Sequence, residues 1–243
     1  MDKTKQKIAF SFLIAIFLAA FEGVVVSTAA PVIVKSLHNF KMISWIFSIF
    51  LLTSAISTPI YGKLADLYGR KRIFMIGISI FLFGSLLAGL SQTMHQLIIF
   101  RGIQGIGAGA IFTIGFTMIG DIFTLEERSI IQGAISTIWG IAGLVGPLLG
   151  GFLIDYLSWQ WIFFINIPFG LLSVYILAKF VHEQKPATNP KIDYLGTILL
   201  SIAIGSLLYG VMSLDEDFLF RCNFINYHFD FFYPFLSPRS QNF

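Results

Sequence analysis

Seven uninterrupted apolar runs, at about 8–34, 43–61, 73–91, 97–120, 130–154, 161–181 and 194–213, constrain this chain more than any other feature. A helix needs roughly 17 to 25 apolar residues to cross a hydrocarbon core, and each run reaches that length. Lipid offers backbone groups no partners, so a span is either a helix or part of a closed barrel. Barrel strands alternate in polarity every second residue, which these runs do not. Only 12% of the residues are charged against 56% apolar, and the mean hydropathy is +0.81, too little charge to cover a water-facing surface. The sequence therefore predicts an all-helical, multi-pass membrane protein whose first partner is the lipid bilayer.

The loops give its orientation. Segments before run 1 and between runs 2–3, 4–5 and 6–7 hold eleven Lys and Arg, whereas the opposite loops hold two, Lys35 and Lys41. Positive residues stay on the cytoplasmic side, so the N-terminus is expected there, in a cell membrane. The same clustering accounts for a net charge of +3 without invoking nucleic acid. The first run is too long for the core of a cleaved signal and is read as a membrane helix. Cys222 is the only cysteine, which excludes an internal disulfide and a cysteine metal site, and His38, His95, His182 and His228 lack metal spacing. No G-x-x-x-x-G-K-[ST] stretch is present, so no P-loop is expected.

Pro186 and Pro190, among polar neighbours, mark a linker at 182–193. The expected organisation is a six-helix bundle at 1–181, this cytoplasmic linker, a seventh helix at 194–213 and a tail at 214–243 of unassigned structure. That tail carries eight phenylalanines and no uncharged run of spanning length. Codons for Phe, Asn, Tyr and Ile are rich in A and T, so a shifted reading frame is one expectation for it. A genuine tail, whose exposed aromatics would need a partner, is the other.

Few polar groups interrupt the spans. Glu22 and Arg101 are the ionisable residues well inside them, each costly in hydrocarbon unless paired, hydrated or snorkelling. Glu22 is too deep to snorkel and is expected to line a hydrated cavity. Arg101 lies about one turn inside the expected outer end of its helix, which leaves snorkelling open. Gln104 and Gly105 follow it at i+3 and i+4, a polar and small face suited to a bundle interior. Gly140, Gly143, Gly146 and Gly150 recur at spacings of three and four, an expected close-packing stripe, and Pro147 allows a kink there. Gly105-Ile106-Gly107-Ala108-Gly109-Ala110 fits a dinucleotide fingerprint by letter only, since it lies within an apolar span and follows no strand.

Between runs 2 and 3 the chain reads Gly62-Lys63-Leu64-Ala65-Asp66-Leu67-Tyr68-Gly69-Arg70-Lys71-Arg72. A tight turn retained by cations would explain Gly69, Arg70, Lys71 and Arg72. Gly62 and Asp66, at i and i+4, share a face and suit close helix approach and a carboxylate latch to Arg70. The cluster Asp121, Glu126, Glu127 and Arg128 reads first as a solvated charged turn.

This loop resembles the signature G-x-L-A-D-x-x-G-R-K-R of the major facilitator superfamily. Arg101-Gly102-Ile103-Gln104-Gly105 is similar to its R-x-x-Q-G motif. Gly146-Pro147-Leu148-Leu149-Gly150-Gly151, preceded by Gly143, is similar to the G-P-x-x-G-G motif of its drug antiporters. Phe21-Glu22-Gly23-Val24 through Pro31 resembles the L-D-x-T-I-V-N-V-A-L-P stretch of the fourteen-helix drug:proton antiporters, with Glu for Asp and Val24 for Thr. Trp159-Gln160-Trp161 through Asn166-Ile167-Pro168 resembles their W-R-W-x-F-x-I-N-x-P, with Gln160 for Arg.

The resemblance implies the N-terminal six-helix half of such a transporter, built as inverted three-helix repeats, plus one further helix. It implies export of small amphipathic or cationic drug-like compounds, powered by a proton gradient with no cofactor, and no enzymatic activity. Glu22 and Arg101 would couple to the proton, Asp66, Arg70 and Asp121 would latch the cytoplasmic side, and Gly143, Gly146, Pro147, Gly150 and Gly151 would govern closure. A transporter of this type needs a second half, so a non-transporting subunit or fragment with a binding or assembly role is the rival reading.

Overall fold

The computed structural model describes residues 2–181 and 194–212, and among them every regular element is helical. The helices are α1 (Lys3–Leu37), α2 (Ile43–Tyr68), α3 (Arg70–Gly89), α4 (Met94–Ile122), α5 (Leu125–Tyr156), α6 (Trp161–Phe164), α7 (Asn166–Phe180) and α8 (Tyr194–Met212), with a 3-10 turn at Phe40–Met42 before α2. Among the described residues, six segments, α6 and α7 counting as one, are long and apolar enough to cross a membrane, and Gly196–Gly210 within α8 is a further apolar stretch. The expected linker at 182–193 and the expected tail at 214–243 lie outside the described residues.

Local chemistry explains the boundaries. At 35 residues α1 is longer than a bilayer core requires, and its excess carries Lys5 and Lys7 beyond the apolar stretch. A single residue, Gly69, joins α2 to α3 with φ at 94°, a conformation a side chain would strain. Thr124 and Glu127 form a reciprocal capping box at the start of α5. Arg128 donates to the carbonyls of Phe123 and Gly120 at the end of α4. The sixth apolar run, expected as one helix, breaks at Ile165. Pro168 has no N–H to give the Phe164 carbonyl four residues earlier, so the ladder lacks a bond where the break falls.

Small residues set the helix spacing in the middle of the bundle. On one side of α4, a Cβ at Gly105 would fall on Thr53 Oγ1 and the Phe50 carbonyl, and one at Gly109 on Ser57 Oγ, so α4 lies directly against α2. On the other side, Gly107 meets the backbone of Phe81, and Gly77 of α3 meets Ala110. The letters that mimic a dinucleotide fingerprint are thus packing glycines, two facing α2 and one facing α3. Helix α1 packs against α5 and α7, while α8 lies along α2, where Trp45 and Tyr209 meet and Gly205 faces Ile56.

Two apolar clusters fill the interior. One gathers Phe12, Phe74, Phe81 and Ile111, and the other Val25, Val26, Leu97 and Phe163. The junction between them positions the site. Glu22 on α1 falls between Ala19 of the first cluster and Val25 of the second, and Ser85 on α3 falls between Leu82 and Ala88. Arg101 and Gln104 on α4 lie between Leu97 and Ala108, and Asn166 on α7 lies between Phe163 and Leu177.

Candidate functional site: a buried charge cluster and a charged loop

Four helices therefore turn polar groups toward one level of an otherwise apolar core. Glu22 and Arg101 are 0% and 1% exposed, and Arg101 Nη1 donates to Glu22 Oε1 at 2.6 Å. The same nitrogen reaches Gln104 Oε1 at 2.8 Å, and Arg101 Nε donates to the Ile46 carbonyl at 3.2 Å. The guanidinium lies 4.3 Å from the centroid of the Phe50 ring, within reach of its negative face. Arg101 thus does not snorkel; it is fixed inward by a carboxylate, an amide, a backbone carbonyl and an aromatic ring.

The second carboxylate oxygen is held from the opposite side. Asn166 Nδ2 donates to Glu22 Oε2 at 2.6 Å and to Ser85 Oγ at 2.9 Å, and Ser85 Oγ donates to the Phe163 carbonyl at 2.8 Å. The helix break next to Phe163 comes from Pro168, and Asn166 opens α7 just beyond it. Glu22 is enclosed by these donors, where sequence reasoning expected it on a hydrated cavity. Two buried atoms of the cluster, Gln104 Nε2 and Asn166 Oδ1, have no hydrogen-bond partner.

Neither Asn166 nor Ser85 stood out in the sequence as a partner of Glu22. The available signal was the one that marked Glu22 itself, a polar side chain inside a span. Nothing in the letters shows that α3 and α7 reach the same depth of the same interior as α1.

The loop between α2 and α3 forms a second cluster. Arg70 donates to Asp121 at the end of α4 and lies 3.7 Å from Asp66. Lys71 Nζ reaches the Ala178 carbonyl of α7 at 3.0 Å, and Lys5 pairs with Glu127 at 2.7 Å. Glu127 is thus part of an ion pair to α1, beyond the solvated turn expected of it. Gly62 departs from the close-approach expectation, because a Cβ there would meet nothing within 4 Å. It lines a cavity of about 370 Å³ with Asp66, Arg70, Thr113 and Thr117. Glycines at 105 and 109 bring α2 and α4 together in mid-span, and threonines at 113 and 117 replace them lower down, so the pair opens.

The glycine stripe of α5 is divided in the same way. Gly146 and Gly150 pack on Val24, Val25 and Thr28 of α1, whereas Gly140, Gly143 and Gly151 face open space. The valine that replaces threonine at position 24 is in contact with Gly146, where a Cβ would lie 2.8 Å from its methyl. The missing side chain of glycine permits a close approach but does not create one, and α1 supplies it at Gly146 and Gly150. Gln160, which replaces arginine in the W-x-W stretch, has a buried Oε1 without a partner.

Apolar helices of spanning length, an ion pair enclosed between them and a charged loop at one end define an integral membrane bundle by architecture and site. The profile of the Major Facilitator Superfamily matches residues 12–238, and the chain belongs to that family. The match runs through 214–238, the stretch that sequence composition set apart. The chain is 40% identical over 217 residues to Multidrug resistance protein 3 of Bacillus subtilis (strain 168), covering 87% of this chain and 42% of that protein. It is 38% identical over 206 residues to the multidrug transporter protein MdtP of the same organism, covering 85% of this chain and 38% of that one. The chain thus spans about two fifths of the length of these relatives. Among solved structures, the human organic anion transporter MFSD10 (TETRAN) superposes with a TM-score of 0.68 at 14% identity, over 88% of this chain and 57% of that one. That likeness concerns the fold.

Proposed function

We propose that this chain forms the N-terminal bundle of a proton-driven exporter of small amphipathic or cationic compounds, embedded in the cell membrane with its N-terminus in the cytoplasm. The observation that carries the proposal is the enclosed Glu22–Arg101 pair, since a carboxylate in the bundle interior is the residue type that takes up and releases a proton within a membrane. Arg101 holds and tunes Glu22, Arg70 with Asp121 and Asp66 latches the cytoplasmic side, and the Gly146–Gly150 contact governs approach of α5 to α1. The names of two relatives support a drug-like substrate class. Transport is assigned to this bundle working with a second one, because alternating access rocks two halves around a site between them.

The chain covers 42% of the first of those relatives, and this favours a second reading, a membrane subunit with a binding or assembly role that does not transport alone. Everted membrane vesicles separate the two. Vesicles are made from cells producing the chain alone, or together with the C-terminal half of the 40%-identical relative, and acidified inside. Drug addition to the paired vesicles is expected to release protons, read by a pH-sensitive dye, and Glu22→Gln is expected to abolish the release. Full release in Glu22→Gln vesicles would reject Glu22 as the proton carrier, and absence of release in any pairing would favour the subunit reading.

A further inference from the structure

Asn166 is the least explained member of the buried cluster. Its side chain is enclosed, both N–H groups are in use and its carbonyl Oδ1 has no partner. A buried amide oxygen without a donor is costly, and a native structure that keeps one calls for a reason. The chemistry of its neighbours supplies one. As an ionised carboxylate, Glu22 only accepts hydrogen bonds, and Asn166 Nδ2 meets that need. Once protonated on Oε2, Glu22 has an O–H to donate there, and the N–H that Asn166 aims at that oxygen is then the wrong partner.

Rotation of the amide by half a turn reverses the arrangement. It places Oδ1 where Nδ2 now lies, between Glu22 and Ser85, with two lone pairs for two donors. Ser85 can follow, because a hydroxyl is both donor and acceptor: its proton now points to the Phe163 carbonyl at 2.8 Å and turns instead to Asn166. The vacated position receives Nδ2, so the unpartnered amide atom changes identity, and the Phe163 carbonyl gives up the Ser85 proton. The present arrangement joins these groups by three hydrogen bonds and the reversed one by two, the reversed one serving a Glu22 that has a proton to donate.

We infer that Asn166 is a positioning residue whose side-chain amide reverses when Glu22 takes up its proton, with Ser85 reversing its hydroxyl in step. The inference rests on Glu22 as the proton carrier. The charged group facing Glu22 among the described residues is Arg101 of α4, while α3 contributes the neutral Ser85, α7 the neutral Asn166 and α2 the Ile46 carbonyl that holds Arg101. No proton is transferred to the amide. The proton stays on Glu22, and the amide exchanges a donated bond for an accepted one.

Infrared difference spectroscopy between high and low pH tests this on the whole chain in lipid nanodiscs, with the side chain of asparagine isotope-labelled. The wild type is expected to gain a carboxyl band at low pH together with a downshift of a labelled amide band, as Oδ1 begins to accept. Both changes are expected to vanish in Glu22→Gln. In Asn166→Leu the labelled change is expected to vanish and the pH midpoint of the carboxyl band to move by about one pH unit or more, the equivalent of one charge-assisted hydrogen bond. If Asn166→Leu does not insert, the wild type against Glu22→Gln decides alone. A carboxyl band that titrates while the labelled amide stays fixed overturns the inference and leaves Glu22 as the carrier. A wild type with no titrating band that Glu22→Gln removes overturns both.

Discussion

Replacing Arg101 by methionine keeps an unbranched chain of similar length and removes the guanidinium alone. Three acceptors lose a donor in that variant: Glu22 Oε1, Gln104 Oε1 and the Ile46 carbonyl. Hydrogen bonds inside membranes are worth only about 0.6 kcal/mol on average, because the unfolded chain in lipid also finds partners, so three of them account for roughly 2 kcal/mol. Stranding a buried carboxylate adds a charge penalty, and removal of one member of a buried pair costs about 3–5 kcal/mol. Glu22→Met strands the arginine in turn and is expected to fall in the same range. The double variant strands neither charge, and a buried pair replaced by apolar groups of similar volume is often neutral. With each single variant costing about 3–5 kcal/mol and the double near neutral, the cycle should therefore return a coupling of about 6–10 kcal/mol in magnitude. The assay is reversible unfolding of the purified chain in mixed micelles by titration with a denaturing detergent, followed by far-ultraviolet circular dichroism. Additive single effects, with coupling under about 0.5 kcal/mol, would falsify the enclosed pair and mean that Arg101 finds its solvation at the membrane surface.

Two further outcomes follow from the packing and from the loop. Gly105→Val should destabilise the bundle by about 1–3 kcal/mol or more, because the added carbons meet Thr53 and a backbone carbonyl of α2, whereas Gly143→Ala, which meets nothing within 4 Å, should stay within about 0.5 kcal/mol of the parent in the same unfolding titration. In a Cys222→Ser background, a cysteine at Thr117 in the cavity beside Gly62 should label faster in Asp121→Asn than in Asp66→Asn, since Arg70 bonds Asp121 directly and stands 3.7 Å from Asp66; the gain should not exceed about fivefold, the worth of a part-exposed pair, and equal rates in both variants and the parent would make the loop a charge anchor only.

The helical spans were legible because lipid enforces them: a run such as 97–120 has no other way to satisfy its backbone, and α4 follows it. Helix ends were less legible, because charged first and last turns such as Lys3–Lys7 continue a helix without contributing to an apolar run. The break at Ile165 was written in Pro168 but hidden by unbroken hydropathy. In the site, Glu22 and Arg101 announced themselves by the cost of a charge in hydrocarbon, yet their pairing across 79 residues is a matter of helix arrangement. Asn166 and Ser85 were illegible for the same reason, being ordinary polar residues until the fold brings them to one depth. Glycine letters alone were ambiguous: Gly105 and Gly146 face a neighbouring helix and Gly62 and Gly143 do not, a difference set by the partner helix.

The distance along the chain between the members of the buried cluster has a consequence for how the protein is made. Glu22 leaves the ribosome 79 residues before Arg101 and 144 before Asn166. At roughly 5–20 residues per second, α1 waits about 4–16 s for its arginine and about 7–29 s for the amide that holds its other oxygen. During that interval the first helix carries an acidic side chain without its eventual partners, so it cannot settle into bare lipid on the terms its apolar residues alone would set. Retention of α1 beside the insertion channel until α4 arrives would shield the carboxylate. Assembly is then timed by translation, and a pause between codons 22 and 101 would lengthen the exposure of a carboxylate that the finished bundle encloses fully.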